Sequence, residues 1–178
     1  MREIDVRDLM RRPGSSRKVA VDEPVGDAVR IELAEVPADR PVHGELLLES
    51  VVEGILVSGP VSVTMALSCS RCLKAFEQPV RVDVQELYAV GAEPGDDEYP
   101  LDPEGQLDPE PMFRDALVLA MPFSPLCRPD CLGICERCGG DRNLGECACV
   151  DEEVDPRWAG LEAVLDTLPD EGTPGPGR

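Results

Sequence analysis

The sequence predicts an α+β fold, in which an antiparallel β-meander forms an open sheet or a partial barrel with two or three helices and a cysteine-rich segment. Three observations predict it. Apolar and polar residues alternate over much of 42–90, helical spacing replaces this alternation in two later stretches, and six of the eight cysteines lie between Cys127 and Cys149. Alternation is typical of half-buried strands, whereas a spacing of three to four residues is typical of amphipathic helices.

The composition limits the function classes. A chain of 178 residues is long enough for one domain with a sizeable core. Its net charge of -19 opposes contact with a polyanion over most of the surface and favours a basic partner. No stretch has the ~18 apolar residues of a membrane span, and the N-terminus lacks the apolar run of a signal peptide. We therefore expect a cytoplasmic protein without a membrane contact.

The first 40 residues mix eight basic and nine acidic side chains. Residues 1–28 are predicted to be an N-terminal segment outside the core, and residues 29–126 the core of sheet and helix. The basic residues around the turn-former Pro13-Gly14 suggest an exposed loop, with a nucleic-acid contact as the alternative. A first strand is predicted over Val29 to Val36. The basic residues of the loop are Arg11, Arg12, Arg17 and Lys18.

The next 50 residues predict the meander. Two strands are expected over Gly44 to Ser50 and Val51 to Ser58, followed by a turn at Gly59-Pro60. The third strand places four apolar side chains on one face, and the fourth repeats the pattern. The four are Val61, Val63, Met65 and Leu67, and the fourth strand carries Val80, Val82 and Val84. The motif C-S-R-C, residues 69–72, falls in the turn between these last two strands.

Residues 91–107 predict an acidic mobile loop, because the stretch from Gly91 to Glu110 has eight acidic residues and no basic one. A helix follows from about Asp108, with Pro109 and Pro111 suited to its first turn. Beyond it we expect a metal-binding segment over 127–150, an amphipathic helix over 151–168 and a disordered tail over 169–178.

The cysteines form four close pairs, and a tetrahedral thiolate site takes two such pairs. The pairs are Cys69/Cys72, Cys127/Cys131, Cys135/Cys138 and Cys147/Cys149. The spacing favours a site from the last two pairs, which leaves the first two to form a second site that joins the cysteine-rich segment to the hairpin. The pairs can be combined in three ways, and the sequence leaves all three open.

The chemistry of the cysteines predicts structural zinc, with one or two ions per chain. Four sulfurs without a histidine describe a closed site, which contributes folding energy rather than catalysis. An iron-sulfur cluster and a redox dithiol are the alternatives, although the βαβ context of a thioredoxin-type dithiol is absent. In a secreted protein, the same eight cysteines would suit four disulfides.

Other candidate residues give weaker signals. Five basic residues lie among the cysteines, where they either offset thiolate charge or form a basic face that contacts RNA. His43, the one histidine, is interpreted as an ordinary, partly exposed side chain. No phosphate loop, nucleophile elbow or zinc-protease motif is present, so we do not expect an enzyme. The five basic residues are Arg71, Lys74, Arg128, Arg137 and Arg142.

Four motifs in this order resemble the YceD family, the large ribosomal RNA subunit accumulation proteins. The motifs are C-S-R-C-L-K-A-F, P-L-C-R-P-D-C-L-G-I-C-E-R-C-G, N-L-G-E-C-A-C and D-P-R-W-A-G-L. The likeness covers about residues 30–168. It implies a bacterial cytoplasmic factor for the accumulation of large-subunit ribosomal RNA. For that role we expect a basic ribosomal protein, which the acidic charge favours, or precursor ribosomal RNA as the partner. Some family members lack the C-terminal cysteines.

Two alternatives to a non-enzymatic assembly factor remain open. An RNA-processing enzyme or nuclease cofactor requires an acidic metal site, for which Asp96, Asp97 and Glu98 are the candidates. A thiol-redox protein requires a cysteine of low pKa and a function that survives loss of the metal.

Overall fold

The computed structural model describes residues 1–92 and 97–149. The expected α+β class with an open, mostly antiparallel sheet is confirmed. The described elements are β1 (Ile4–Asp5), α1 (Arg7–Met10), β2 (Ser16–Pro24), β3 (Val29–Ile31), β4 (Ala34–Val36), β5 (Pro41–Ser50), β6 (Ile55–Ser68), β7 (Ala75–Ala89), β8 (Tyr99–Pro100), β9 (Gln106–Leu107), α2 (Glu110–Ala120) and a 3₁₀ helix (Arg142–Leu144).

The seven-stranded sheet is arranged around β6. Strand β7 pairs with one edge of β6 along its whole length, from Ile55 opposite Tyr88 to Ser68 opposite Ala75. The other edge pairs first with β5 and then, near its end, with β4. Strand β2 extends the sheet beyond β5, β3 extends it beyond β4, and β8 pairs in parallel with the end of β7. Strands β1 and β9 form a separate two-stranded sheet.

The turn predicted at Gly59-Pro60 is wrong, because both residues lie inside β6. The register with β7 continues through them, whereas the pairing with β5 is interrupted between Gly44–Val61 and Leu47–Ser58. Gly59 has a φ of 147°, which a residue with a side chain rarely adopts. Proline has no N–H to donate, so Pro60 is tolerated where the ladder to β5 is broken. The predicted common face from Val61 to Leu67 is confirmed by its burial.

The N-terminal residues differ from the prediction in two ways. The expected loop around Arg17 and Lys18 is instead the start of β2, which pairs with β5 over nine residues. The single strand expected over 29–36 is a hairpin of β3 and β4. Val6, Leu9 and Val25 are buried in the main core, so the expected boundary at residue 28 needs correction. Strand β2 lies at the edge of the sheet and buries few side chains, which explains the weak apolar pattern of its sequence.

Helix α2 packs against β3 and β7, as its helical spacing predicted. Met112, Phe113 and Leu117 are buried in the core on this side. The predicted mobile loop over 91–107 also needs correction in its second half, because β8 pairs with β7 and β9 pairs with β1. Leu101 and Leu107 are buried there. The prediction failed because two buried leucines are enough to anchor this stretch, although its composition is strongly acidic.

The fold brings the two cysteine-bearing segments together. The turn between β6 and β7 contains C-S-R-C, and its Ser70 N–H donates to the carbonyl oxygen of Pro125, at 2.8 Å, in the chain that follows α2. The helix expected over 151–168 and the tail expected over 169–178 lie outside the described residues. Among the helices of the described part, none is long and apolar enough to cross a membrane.

Candidate metal centres

The first group of sulfurs, here called the hairpin cluster, contains Cys69, Cys72, Cys127 and Cys131. Two of these residues lie in the β6–β7 turn and two in the segment after α2. The Sγ atoms of Cys69 and Cys131 are 3.8 Å apart, and those of Cys72 and Cys127 are 3.7 Å apart. Three of the four residues are buried, Cys127 being the exception. The cluster therefore joins the sheet to the cysteine-rich segment.

The second group, here called the distal cluster, contains Cys135, Cys138, Cys147 and Cys149. All four belong to one stretch of 15 residues. Their four sulfurs lie within 4.8 Å of one another, as do those of the hairpin cluster. The fold thus gathers the cysteines in the arrangement that the spacing favoured among the three possible ones. All eight are free thiols, so no disulfide is present.

The two C-x-R-C turns have the same backbone arrangement. In the first, Cys69 N–H donates to Lys74 O at 2.9 Å and Leu73 N–H donates to Cys69 O at 2.8 Å. In the second, Cys135 N–H donates to Gly140 O and Gly139 N–H donates to Cys135 O, both at 2.8 Å. The residue after each turn is left-handed, with φ of 58° at Leu73 and 72° at Gly139. Both turns direct their backbone N–H groups at sulfur.

These N–H groups shift the acidity of the first thiol of each turn. Desolvation raises the pKa of Cys69, but hydrogen bonds from the N–H groups of Cys127, Cys72 and Arg71 lower that pKa overall to about 6. The N–H groups of Cys138 and Arg137 likewise lower the pKa of Cys135 to about 6. One thiol per cluster is therefore prepared as a thiolate, the form that binds metal.

In each cluster another thiol is shifted the opposite way. Desolvation and a hydrogen bond with Cys72 raise the pKa of Cys127 to about 12. Hydrogen bonds with Cys138 and Cys147 raise the pKa of Cys149 to about 12. A single thiolate shared among four sulfurs accounts for both shifts, because a second negative charge is disfavoured beside the first. A divalent cation would remove this penalty.

The sulfur spacing fits one tetrahedral ion in the hairpin cluster. Four sulfurs at about 2.3 Å from one zinc ion are about 3.8 Å apart, and the measured separations are 3.8 and 3.7 Å. In multi-iron clusters the cysteines bind different iron atoms, which places their sulfurs farther apart. Both groups, with all sulfurs within 4.8 Å, fit a single ion better.

A buried carboxylate connects the loop of the distal cluster to the hairpin turn. Asp141 lies beside Lys74, with 2.6 Å between Oδ2 and Nζ, and its side chain is only 10% exposed. Hydrogen bonds from Lys74 and Asn143 lower the pKa of Asp141 to about 2. The same contact raises the pKa of Lys74. The pair is therefore ionised at neutral pH.

Asn143 makes a second connection. Its Oδ1 accepts hydrogen bonds from Leu132 N–H at 2.8 Å and from Arg128 at 2.7 Å. Its Nδ2 donates to Asp141 Oδ1 at 2.8 Å and lies 3.6 Å from the Sγ of Cys131. The loop between Cys138 and Cys147 is here called the distal loop. Its Asn143 thus contacts a sulfur of the hairpin cluster.

Three of the five basic residues among the cysteines have structural contacts. Lys74 pairs with Asp141, Arg71 donates to Cys131 O at 2.8 Å, and Arg128 donates to Asn143. Arg137 and Arg142 also have interactions of their own. The contacts of Lys74 and Arg71 join the β6–β7 turn to the cysteine-rich segment, and the contact of Arg128 lies within that segment.

Sequence reasoning missed Asp141 and Asn143. The signal was present, since Asp-x-Asn after Gly-Gly is a turn-forming pattern in which side chains bond nearby backbone. Asp141 Oδ1 does accept from Asn143 N–H at 2.8 Å, at the start of the 3₁₀ helix. The contacts with Lys74 and Cys131 join residues distant in sequence, and no local pattern predicts them.

Those of the remaining candidates that lie in the described part of the chain do not form a catalytic group. His43 is exposed, and its Nδ1 lies 2.8 Å from Asp22 Oδ1. Ser62 lies opposite His43 on β6, but its hydroxyl donates to the backbone oxygen of His43 at 3.3 Å rather than to the ring. Asp96 lies outside the described residues. In the described part, Asp97 and Glu98 belong to no group of three potential metal ligands.

The chain is similar to proteins of mycobacteria and to one protein family. A family profile described as large ribosomal RNA subunit accumulation protein YceD matches residues 57–165. Uncharacterised proteins of Mycobacterium bovis and Mycobacterium tuberculosis are 35% identical over 169 residues, which cover 91% of this chain and 80% of theirs. One of Mycobacterium leprae is 33% identical, over 91% of this chain and 76% of its own. No solved structure is significantly similar to the chain.

Proposed function

The chain belongs to the YceD family of large ribosomal RNA subunit accumulation proteins, and from this membership we propose that it is a non-enzymatic cytoplasmic factor for biogenesis of the large ribosomal subunit in bacteria. The family match carries the proposal, because residues 57–165 include the sheet centre, α2 and all eight cysteines. The relatives of comparable length are bacterial.

Zinc is the metal we propose for both clusters, as a structural ion. Four thiolates with no histidine and no open position suit zinc, and the sulfur separations in the hairpin cluster fit one ion. One ion would link the β6–β7 turn to the segment after α2, and the other would link two cysteine pairs within residues 135–149. Metal analysis of purified protein tests this. Two zinc ions per chain, falling to about one with Cys135→Ser, support the proposal, and no zinc in the wild type contradicts it.

The lowered pKa values of Cys69 and Cys135 also suit the alternative function, that of a thiol-redox protein. A redox dithiol would alternate between thiol and disulfide, and its function would survive zinc removal. If the thiolates bind metal, they are protected from alkylation until the metal is removed. Iodoacetamide labelling with and without a zinc chelator separates the two. Equal labelling in both samples would favour the redox function.

A basic ribosomal protein is the partner that the charge favours. The whole chain carries -19, and residues 97–115 alone contain seven acidic residues and one basic residue. Precursor ribosomal RNA would be repelled by most of this surface. We expect the basic protein to contact residues 97–115, where Asp97 and Glu104 are exposed.

Binding at rising salt concentration tests the partner. Complex formation with the basic proteins of the large subunit should weaken from 50 to 500 mM salt, because exposed charges are screened. Glu104→Lys should weaken it further, whereas the same charge reversal at Glu53, which is exposed on a turn elsewhere, should have little effect. Binding that is insensitive to salt would contradict this partner, and capture of precursor RNA alone would favour the RNA partner.

The cellular role is tested by deletion of the gene. The ratio of large-subunit to small-subunit ribosomal RNA should fall and be restored by the wild-type gene. Restoration by a variant without zinc would show that the metal is dispensable for the function. An unchanged ratio after deletion would contradict the proposed role.

A further inference from the structure

The two cysteine clusters are built in different ways. The distal cluster takes all its sulfurs from residues 135–149, so a short peptide contains the complete set. The hairpin cluster joins residues that are 55 and 62 positions apart in sequence. Its sulfurs meet only when the β6–β7 turn and the segment after α2 are in place. The hairpin cluster therefore needs the tertiary fold to bring its sulfurs together, whereas the distal cluster has all its sulfurs in one local stretch.

The chain between the clusters is held from both sides. Only three residues separate Cys131 from Cys135, and the middle one, Gly133, has a left-handed φ of 77°. A Cβ at Gly133 would lie 2.9 Å from the carbonyl oxygen of Arg71, so only glycine fits. The oxygen of Gly133 accepts from Arg142 N–H, while Arg71 O accepts from Ile134 N–H, both at 3.0 Å.

Two side-chain contacts also connect the hairpin cluster to the distal loop. Lys74 extends from the hairpin turn to the buried Asp141 of the distal loop, and Asn143 extends from the distal loop to Cys131. Breaking the hairpin cluster would loosen residues 127–131 against the β6–β7 turn. Asn143 connects the distal loop to the first of these segments, and Asp141 connects it to the second. The distal loop would then have to be ordered by its own ion alone, at a higher entropic cost.

We propose that Lys74, Asp141 and Asn143 are positioning residues that couple the two clusters, so that a metal ion in the hairpin cluster raises the affinity of the distal cluster for its own ion. The coupling is reciprocal, because two linked binding equilibria change each other by the same factor. The inference rests on the proposed binding of metal by both clusters. We expect the factor to be about tenfold, within the range typical of coupled sites.

The test measures the Zn²⁺ affinity of the distal cluster in the full chain by competition with a chromophoric chelator. The hairpin cluster is disabled with Cys69→Ser and Cys72→Ser, and ¹¹³Cd NMR identifies which cluster is occupied. Disabling it should lower the affinity of the distal cluster about tenfold. In a Lys74→Met background the same change should lower that affinity by clearly less, because part of the connection is already lost.

Lys18→Met is the matched control. Lys18 and Lys74 are both more than half exposed, and each pairs with a carboxylate, Lys18 with Glu45 at 2.7 Å and Lys74 with Asp141 at 2.6 Å. Lys18 lies on β2, which carries no cysteine, so its replacement should leave the affinity of the distal cluster within twofold of wild type. Lys74→Met alone, in the chain with both clusters intact, should lower it several-fold. This single variant tests the connection if the double serine variant does not fold.

Three results would contradict the proposal, each in a different way. Equal affinity of the distal cluster with and without the hairpin cluster, and in Lys74→Met, would refute the coupling while leaving metal binding intact. No ¹¹³Cd signal from either cluster would instead refute the proposed metal binding itself. A lowered affinity in Lys18→Met as large as in Lys74→Met would show a general charge effect and would also refute the coupling.

Discussion

Replacing one cysteine in each cluster should have unequal effects on the sheet. Cys72→Ser opens the hairpin cluster, which links residues 55 positions apart across the main sheet and the segment after α2. A cross-link over a loop of that length stabilises a fold by about 4 kcal/mol in the chain-entropy model. Cys138→Ser opens the distal cluster, which lies outside the main core. Cys138→Ser should lower the stability of the sheet only through the tenfold coupling between the clusters, which corresponds to about 1.4 kcal/mol.

Urea unfolding with saturating zinc, followed by far-ultraviolet circular dichroism, measures the difference. With a slope of about 2 kcal/mol/M, Cys72→Ser should lower the urea midpoint by roughly 2 M and Cys138→Ser by less than about 1 M. The two variants are matched, because each removes one thiol from a four-cysteine cluster. Equal shifts, or no shift with Cys72→Ser, would refute the idea that the hairpin cluster secures the fold.

Four further predictions follow from packing, backbone geometry and metal removal. Leu117→Ala should lower the free energy of unfolding by about 2–5 kcal/mol, whereas Leu119→Ala, on the exposed side of α2, should change it by less than about 0.5 kcal/mol in thermal unfolding. Gly59→Ala should cost more than about 2 kcal/mol in urea unfolding, because its Cβ would lie 2.4 Å from a backbone oxygen of β5. Leu73→Asn should stabilise the protein by about 1 kcal/mol in the same assay, since asparagine tolerates the left-handed backbone better. Chelation should speed hydrogen exchange more in 127–149 than in the sheet, which should stay folded, and complete loss of protection throughout would contradict this.

The sheet was predictable where burial alternates along a strand. Val61, Val63, Met65 and Leu67 are all buried on one face of β6, and their alternation was visible in the sequence. Strand β2 was missed because an edge strand buries little, with only Val21 of its nine residues buried. The turn expected at Gly59-Pro60 failed for another reason. Glycine and proline usually end a strand, but here they mark an interruption in the pairing with β5 alone.

The cysteine groups were predictable from spacing, whereas the contacts between them were not. Four close pairs, with one to three residues between their cysteines, limited the choices to three, and the distal grouping followed from its nearness in sequence. Lys74 was identified only as a cation among thiolates. Its contact with Asp141 spans 67 positions and depends on the turn and the distal loop being placed side by side. Metal identity and the partner stay predictions.

The long separation within the hairpin cluster has a consequence for synthesis of the chain. Cys72 is translated 55 residues before Cys127. At bacterial rates of about 5–20 residues per second, the turn thiols wait on the order of 3–10 s for the other half of their site. A β6–β7 hairpin that forms during this interval has only two of the four sulfurs of its site. During this interval its two thiols are the ones most open to oxidation or to capture by a competing metal.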